Sequence, residues 1–298
     1  MAARKKRGPS SALVTGGAGF IGSTLALEIQ RRWPATRVTV VDDFRSGSFK
    51  NLEGFKGDVV AKSVADYAPK AKFDVVFHLA SITDTTVHDQ RLQVHDNVEG
   101  FRAVLGLAPR VVYASSAATY GMVNERNVET APPRPANVYA FSKVILDNLA
   151  REHGAVGARY FNVYGPRESH KGAAASMIWQ LACRMRAGQR PRIFTMGEQK
   201  RDFVHVDDAV AGTLAAFERG KPGDVYNIGS GKARSFNDIV IALNRALGTT
   251  FEPEYFDCPY DFYQSLTEAD LGKSRKGLGY EPKFDLDRGI ADYMSRTR

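Results

Sequence analysis

A short apolar run followed by a cluster of glycines constrains the fold more than any other part of the sequence. Ala12-Leu-Val14 leads into Thr15-Gly-Gly-Ala-Gly-Phe-Ile-Gly22, and Leu25 and Ile29 continue at helical spacing. This pattern predicts a buried strand, a tight turn and the start of a helix. Such a turn lets the backbone approach a pyrophosphate, whose negative charge the helix amino terminus favours. The segment therefore predicts a dinucleotide site, and its contacts are Gly16, Gly19, Phe20, Ile21 and Gly22.

The second predicted strand ends in acidic residues. The apolar run 38–41 is followed by Asp42 and Asp43, about twenty residues beyond the glycine turn. A carboxylate at this place binds the ribose 2′-hydroxyl of NAD. Arg45 and Lys62 are candidates to neutralise the 2′-phosphate of NADP instead. These residues leave the choice between NAD and NADP open.

Apolar runs alternate with amphipathic stretches, as in a parallel sheet covered by helices on both faces. Strands are predicted at 12–15, 38–41, 59–60, 75–79, 111–114, 158–163, 192–195 and 225–228. Helices are predicted at 19–32, 90–107, 137–152, 173–187, 209–218 and 236–247. The pattern predicts an α/β fold, a Rossmann-type doubly wound parallel sheet with a smaller, discontinuous C-terminal substrate domain.

The predicted domains are interleaved in sequence. Residues 9–167 form the dinucleotide-binding domain, to which 201–228 returns, whereas 168–200 and 229–298 form the substrate domain. Residues 1–8 form a basic tail. No apolar segment follows it, so a solvated tail is favoured over a targeting signal.

Composition excludes several classes of protein. The 298 residues carry a formal charge of +8, but the lysines and arginines are scattered, so nucleic-acid binding is not predicted. Cys183 and Cys258 have no metal-ligand spacing and the six histidines form no metal pattern, so no metal is expected and a reduced, cytoplasmic setting fits. No apolar run approaches the roughly 20 residues that span a bilayer.

Tyr139 and Lys143 place a phenol and an ammonium group on one face of a predicted helix. Beside a dinucleotide turn, this pair suggests proton transfer coupled to hydride transfer. A free tyrosine has a pKa of about 10, and bringing it near 7 requires roughly 4 kcal/mol of phenolate stabilisation. Lys143 and the positive nicotinamide ring are the expected sources.

These landmarks, taken in order, resemble the extended short-chain dehydrogenase/reductase family of nucleotide-sugar enzymes. The resemblance covers nearly the whole chain after the basic tail. The segments that carry it are 15–22, 77–80, 113–121, 139–143, 159–167 and 201–208. It implies a nicotinamide cofactor, a nucleotide-sugar substrate and a homo-oligomer.

Within the family, four segments resemble the members that invert C6 of ADP-glycero-manno-heptose, a precursor of lipopolysaccharide. They are 115–121, 137–143, 160–171 and 263–270. The run His170-Lys-Gly172 is the most specific, because other sugar epimerases usually lack it. Ala173 and Gln180 depart from the serine and histidine that these members carry. The alternatives are a UDP- or GDP-hexose 4-epimerase or dehydratase, and more remotely a non-catalytic dinucleotide- or RNA-binding protein.

The resemblance also implies roles for individual residues. Ser116 would bond the reacting oxygen, Tyr139 and Lys143 would form the acid–base pair, and Lys171 would serve the other epimer. Further substrate contacts are expected at Asn162, Ala173, Gln180, Phe194, Arg201 and Tyr263. Further cofactor contacts are expected at Asp58, Leu79, Ala80, Ser81, Asn97, Lys143 and Val163. The heptose epimerases use NADP, which favours NADP with NAD as the alternative.

Overall fold

The computed structural model describes residues 8–83, 89–258 and 264–297. The strands are β1 (Ser11–Thr15), β2 (Arg37–Asp42), β3 (Asp58–Ala61), β4 (Val75–His78), β5 (Val111–Ser116), β6 (Val156–Tyr160), β7 (Asn162–Tyr164), β8 (Arg192–Phe194), β9 (Lys200–His205), β10 (Val225–Ile228), β11 (Ala233–Ser235) and β12 (Glu254–Phe256). The helices are α1 (Phe20–Arg32), α2 (Gln90–Val104), α3 (Val138–His153), α4 (Met177–Arg186), α5 (Val206–Arg219), α6 (Phe236–Leu247), α7 (Gly272–Leu278) and α8 (Leu286–Arg296). Within the described ranges, no helix is both long and apolar enough to cross a membrane.

The main sheet has seven strands in the order β10-β6-β5-β4-β1-β2-β3. Every neighbouring pair runs parallel. The strand order reverses between β1 and β4, so a crevice opens at the carboxyl ends of these two strands. The predicted doubly wound sheet is confirmed.

Both faces of the main sheet are buried, which explains why its strands are continuously apolar. Alternate side chains of β1 point to opposite faces. Val14 packs in one core with Leu25 of α1, whereas Leu13 packs in another with Phe101 of α2 and Leu146 of α3. The sheet is therefore held from both sides at the place where the crevice opens.

A separate hydrophobic core lies in the second half of the chain. Ile178 of α4, Ile239 and Leu243 of α6, and Ile290 of α8 are completely buried in it. The strands β7, β9 and β11 form a three-stranded sheet, and β8 pairs with β12. β10 joins the main sheet beside β6. The division into interleaved domains remains a prediction.

The sequence prediction omits α8, although a signal for it exists. Leu286, Ile290 and Tyr293 recur at helical spacing and are buried. Asp285 caps this helix by accepting a hydrogen bond from the amide of Arg288 at 2.8 Å. The prediction also omits α7, β9, β11 and β12; β11 and β12 have only three residues each, too few for periodicity to show.

The strand predicted at 158–163 is wrong in its extent, because the chain changes sheets within it. Tyr160 still pairs with Ser116 in the main sheet. Asn162 already pairs with Phe203 of β9 in the three-stranded sheet. This crossing brings the start of β7 to the edge of the crevice.

The helix predicted at 173–187 begins only at Met177. A short 3-10 helix, Ser169–Ala174, precedes it, and Gly172 within that helix has a φ of 54°. Ser176 then caps α4 by accepting a hydrogen bond from the amide of Trp179 at 3.2 Å. The irregular segment therefore forms a loop rather than the first turn of α4.

Candidate active site

The glycine turn between β1 and α1 lines a cleft of about 1070 Å³. Gly16 has a φ of 66°, and a Cβ there would lie 2.6 Å from the amide nitrogen of Ala80. A Cβ at Gly22 would collide with the carbonyl oxygen of Gly16. α1 begins at Phe20 without a side-chain cap. The turn thus presents an uncapped helix amino terminus to the cleft, and it fits the pyrophosphate of a dinucleotide. The turn residues that line the cleft are Gly16, Gly19, Phe20, Ile21 and Gly22.

Asp42 ends β2 at the edge of the same cleft. Its Oδ2 accepts a hydrogen bond from the amide of Ala18 at 2.9 Å, and its Oδ1 accepts one from the amide of Phe44 at 2.9 Å. Burial raises the pKa of this carboxyl, and the two amide bonds oppose that shift. The two amide bonds thereby hold the carboxylate at the edge of the cleft.

Charges of both signs surround Asp42. Arg45 forms ion pairs with Asp43 at 2.6 Å and with Asp96 at 2.6 Å. Lys62 also lines the cleft, and its amide donates a hydrogen bond to the carbonyl oxygen of Asp42 at 3.1 Å. This end of the cleft can therefore receive a ribose hydroxyl or a phosphate.

The loop after β4 closes another side of the cleft. Asn97 of α2 is buried, and its Oδ1 accepts a hydrogen bond from the amide of Ile82 at 2.7 Å. Its Nδ2 donates to Oγ of Ser142 at 3.0 Å. Asn97 thus ties this loop to α3. The other residues predicted for the cofactor here that line the cleft are Leu79, Ala80, Ser81 and Val163.

Ser116, Tyr139 and Lys143 all line the cleft. The Nζ of Lys143 lies 5.6 Å from the centroid of the Tyr139 ring, and it donates a hydrogen bond to the carbonyl oxygen of Ala114 at 2.9 Å. Lys143 is only 2% exposed. Burial lowers the pKa of Lys143 to about 8, although Asp147 opposes the shift. The ammonium group is thus fixed one helical turn from the phenol.

The environment of Tyr139 favours the protonated phenol. Burial raises the pKa of Tyr139, and its hydrogen bond with Ser116 opposes that shift. A positive charge brought by a bound nicotinamide ring would act in the opposite direction to burial. The phenolate stabilisation expected from the sequence therefore depends on the cofactor as well as on Lys143.

Lys171 reaches the same cleft from the 3-10 helix Ser169–Ala174. Its Nζ lies 5.8 Å from the centroid of the Phe20 ring. Burial lowers the pKa of Lys171, and the nearby Glu168 opposes that shift. Two lysines, on α3 and on this loop, therefore enter one cleft from separate segments.

Glu168 is a residue that the sequence reasoning misses. It is fully buried, and its carboxylate accepts hydrogen bonds from the amides of Gly165 at 3.1 Å and Ser176 at 2.6 Å. The hydroxyl of Ser176 donates a third bond at 2.8 Å. Glu168 thus closes the loop that carries Lys171 at both ends. No spacing in the sequence predicts this role, because the partner amides meet only in the folded loop.

Two of the predicted substrate residues line the cleft beside the catalytic candidates. Asn162 opens β7 and Arg201 lies on β9. His78 also lines the cleft, although the sequence gives it no role. Its Nδ1 is hydrogen-bonded to Oγ1 of Thr15 at 2.9 Å. Burial, with a smaller contribution from Lys143, lowers the pKa of His78 to about 3, so this ring stays neutral.

Four predicted contacts do not line the cleft: Asp58, Ala173, Gln180 and Phe194. Asp58 pairs with Thr39 at the amino end of β3, whereas ligands of parallel sheets bind at the carboxyl ends. Nε2 of Gln180 donates to the carbonyl oxygen of Ala173 at 3.1 Å, so this side chain braces the loop. Phe194 packs against Phe256 with ring centroids 5.0 Å apart. Tyr263 lies outside the described residues.

Within the described ranges, His205, Asp207 and Asp292 place three possible metal ligands close together. Arg296 lies between the two carboxylates, at 2.5 Å from each. Burial lowers the pKa of His205 to about 4, opposed by the two aspartates. One guanidinium group is thus shared by the two carboxylates of this cluster. None of the residues of the cluster lines the cleft.

The fold and the cleft define a class of protein. The NAD dependent epimerase/dehydratase family matches residues 12–229. The chain belongs to this family and therefore uses a nicotinamide cofactor. Its similarity to epimerases over almost its whole length shows that it is an epimerase. The family resemblance seen in the sequence is confirmed.

Several relatives are similar over almost their whole length. ADP-L-glycero-D-manno-heptose-6-epimerase of Alkalilimnicola ehrlichii is 37% identical, with 95% of this chain and 96% of the relative covered. The crystal structure of the Helicobacter pylori enzyme of that name is 39% identical, with a TM-score of 0.90 and coverage of 99% and 98%. UDP-glucose 4-epimerase of Thermotoga maritima, solved with UDP-glucose, is 30% identical, with a TM-score of 0.86 and coverage of 97% and 98%.

Proposed function

We propose that this protein inverts C6 of ADP-glycero-manno-heptose with NADP as cofactor. The observation that carries the proposal is the presence of two separate acid–base groups, Tyr139 and Lys171, in the cleft that the glycine turn lines. A carbon that is oxidised and then reduced on its other face presents its hydroxyl in two directions. Two acid–base groups on separate segments suit that requirement.

Tyr139 is the proposed acid–base group for one epimer. Lys143 holds a positive charge beside its ring and stabilises the phenolate. Ser116, which is hydrogen-bonded to Tyr139, is positioned to bond the reacting oxygen. When bound, the nicotinamide cofactor accepts a hydride and returns it, so configuration changes without net redox change.

Lys171 is the proposed acid–base group for the other epimer. Burial lowers its pKa, which makes the neutral amine more accessible near neutral pH. A lysine that only bound the substrate diphosphate would act in its charged form throughout. The lowered pKa of Lys171 is the direction that suits proton transfer.

The proposed substrate is an ADP-heptose rather than a hexose. Two relatives named for the heptose reaction are 37% and 39% identical and cover at least 95% of this chain. Lys171 lies within His170-Lys-Gly172, the run that most resembles those enzymes. Arg201 in the cleft is the proposed ligand of the diphosphate, since guanidinium groups bind phosphate through two hydrogen bonds.

NADP is proposed over NAD because Arg45 and Lys62 line the cleft beside Asp42. Arg45 is balanced by two aspartates, so Lys62 is the stronger candidate for the 2′-phosphate. The test is the dissociation constant of each cofactor. Lys62→Ala should weaken NADP binding by about tenfold and leave NAD binding unchanged. Tighter binding of NAD than NADP by the unchanged protein would overturn the choice.

The substrate test incubates the protein with ADP-D-glycero-D-manno-heptose and follows the C6 configuration by NMR. UDP-galactose and GDP-mannose are run in parallel. Conversion of the heptose alone is the expected result. Turnover of a hexose without the heptose would favour a 4-epimerase, the second candidate, which the similarity to UDP-glucose 4-epimerase supports. Dehydration is disfavoured because Ala117 and Ala118 follow Ser116, where dehydratases carry acidic groups.

The proposal also includes a homo-oligomer in a reducing, cytoplasmic compartment. The sequence has only two cysteines, Cys183 and Cys258, and their spacing is typical neither of a metal site nor of a CxxC motif, which fits a compartment that keeps cysteines reduced. Light scattering coupled to size-exclusion chromatography would measure the oligomeric state. A monomeric mass at working concentration would contradict this part of the proposal.

A further inference from the structure

One buried amide joins the glycine turn to the loop that carries Lys171. Asn51 lies in a 3-10 helix, Phe49–Leu52, and is 6% exposed. Its Nδ2 donates hydrogen bonds to the carbonyl oxygen of Ala18 at 2.9 Å and to Nδ1 of His170 at 3.0 Å. His170 directly precedes Lys171. Two hydrogen bonds therefore connect the cofactor turn to the residue that directly precedes Lys171.

These partners determine the orientation of the amide and the tautomer of the ring. A carbonyl oxygen only accepts, so the amide nitrogen of Asn51 must face Ala18. Nδ1 of His170 must then accept the second hydrogen, which places the ring proton on Nε2. Burial lowers the pKa of His170, and Lys171 acts in the same direction, while the carbonyl of Arg167 and Asp42 oppose it. The neutral ring that the bond requires is the favoured form.

A second bond holds the start of the loop to the same segment. Nε of Arg167 donates to the carbonyl oxygen of Asn51 at 3.2 Å. Arg167 has a φ of 78°, a conformation that a non-glycine residue keeps only when its surroundings enforce it. The Asn51 segment thus contacts the loop on the amino side of Lys171 at two places.

We propose that Asn51 and His170 are positioning residues that hold Lys171 in the cleft by fastening its loop to the glycine turn. This inference rests on the proposed acid–base role of Lys171. The backbone hydrogen bonds of this loop are local, from the amides of Lys171 and Ala175 to the carbonyl oxygens of Glu168 and Gly172, so its position relative to the cofactor turn depends on side-chain bonds. Because the loop is bonded to the turn that binds the cofactor, Lys171 keeps a constant position relative to the cofactor.

The test removes the acceptor on His170 and compares two replacements. His170→Asn keeps an oxygen close to the place of Nδ1, whereas His170→Leu has no acceptor, so the pair separates the hydrogen bond from side-chain volume. The first readout is the pKa of Lys171, from NMR of carbon-13-dimethylated lysines in the full-length protein. Lys171→Arg identifies the signal. The second readout is kcat and KM for epimerisation.

In His170→Leu, the pKa of Lys171 should rise toward its ordinary value by about one unit, because the released lysine becomes hydrated. The kcat should fall by about tenfold with KM unchanged, because Lys171 is misplaced rather than lost. His170→Asn should preserve both values. Asn51→Ser, which is too short to bridge both acceptors, should repeat the effect of His170→Leu and serves if the leucine variant does not fold.

An unchanged pKa of Lys171 in folded His170→Leu and Asn51→Ser would overturn the inference. So would an equal loss of kcat in His170→Asn and His170→Leu. These outcomes differ from a failure of the proposed function. If Lys171→Ala keeps full activity, the acid–base role is wrong, yet the shifted pKa of Lys171 would still report the fastening of its loop.

Discussion

The two lysines of the cleft are held in different ways. Lys143 projects from the middle of α3, is 2% exposed and is bonded to the carbonyl oxygen of Ala114. Lys171 lies on a short 3-10 helix that is interrupted at Gly172. Backbone hydrogen bonds fix the first position, whereas buried side chains such as Glu168 fix the second. We therefore expect changes around Lys143 to alter only the proton transfer itself. Changes around Lys171 should also alter the position of its amine in the cleft.

The largest effect is expected for Tyr139→Phe, which lies beside Lys143 on α3. Loss of the hydroxyl should lower kcat by about 10³-fold, because general acid–base catalysis is removed. Steady-state NMR gives the rate, and titration with NADP should give an unchanged dissociation constant. Full activity in this variant would remove Tyr139 from the mechanism.

Lys171→Ala tests the acid–base role of the lysine that lies on the loop. Every turnover oxidises one epimer and forms the other, so steady-state rates depend on both Tyr139 and Lys171 in either direction of the reaction. The reduction of bound cofactor in a single turnover must therefore be measured separately with each epimer. One of these half-reactions should slow by about 10²-fold, and the other should remain close to normal. Tyr139→Phe should show the reverse preference. Equal slowing of both half-reactions by Lys171→Ala would contradict two separate acid–base groups.

The pH dependence should reveal the lysine on α3. The pKa of Lys143 is lowered to about 8, so its ammonium form prevails below that pH and is lost above it. The phenolate then loses its nearby positive charge, and kcat/KM should fall by up to about tenfold per pH unit. Lys143→Arg, which stays charged, should move this decline to higher pH. A flat profile well beyond pH 8 would contradict the role of Lys143.

The smallest effect is expected for Glu168→Gln, which keeps the size of the side chain. If the amide NH₂ takes the place of Oε2, the amide of Ser176 loses its acceptor; in the place of Oε1 it would face both the amide of Gly165 and the hydroxyl of Ser176. The free energy of unfolding should fall by about 1–3 kcal/mol. Chemical denaturation measures this, with the exposed Glu252→Gln as the matched control. Only the half-reaction that depends on Lys171 should slow; slowing of both would show that Glu168 acts beyond its loop.

Local patterns predict much of the fold and most of the residues that line the cofactor side of the cleft. The strand Val225–Ile228 and the helix Phe236–Leu247 have the bounds that the sequence predicts. Asp58 shows the limit of such reasoning, because the strand predicted at 59–60 forms but begins at Asp58, whose side chain lies at the amino end of the strand and does not line the cleft. Which residues of a strand reach the cleft depends on register with neighbouring strands, and a single segment does not contain that information.

The sequence by itself determined the glycine turn and the pairing of Tyr139 with Lys143. Both follow from local geometry, since Gly16 needs a positive φ and helical spacing places the pair on one face. Lys171 was expected in the same site only through the family resemblance, and only the tertiary structure decided that Asn51 is bonded to its loop. Asn51 and His170 are 119 positions apart. Buried hydrogen bonds across such separations have no periodicity, so they become visible only when the chain has folded.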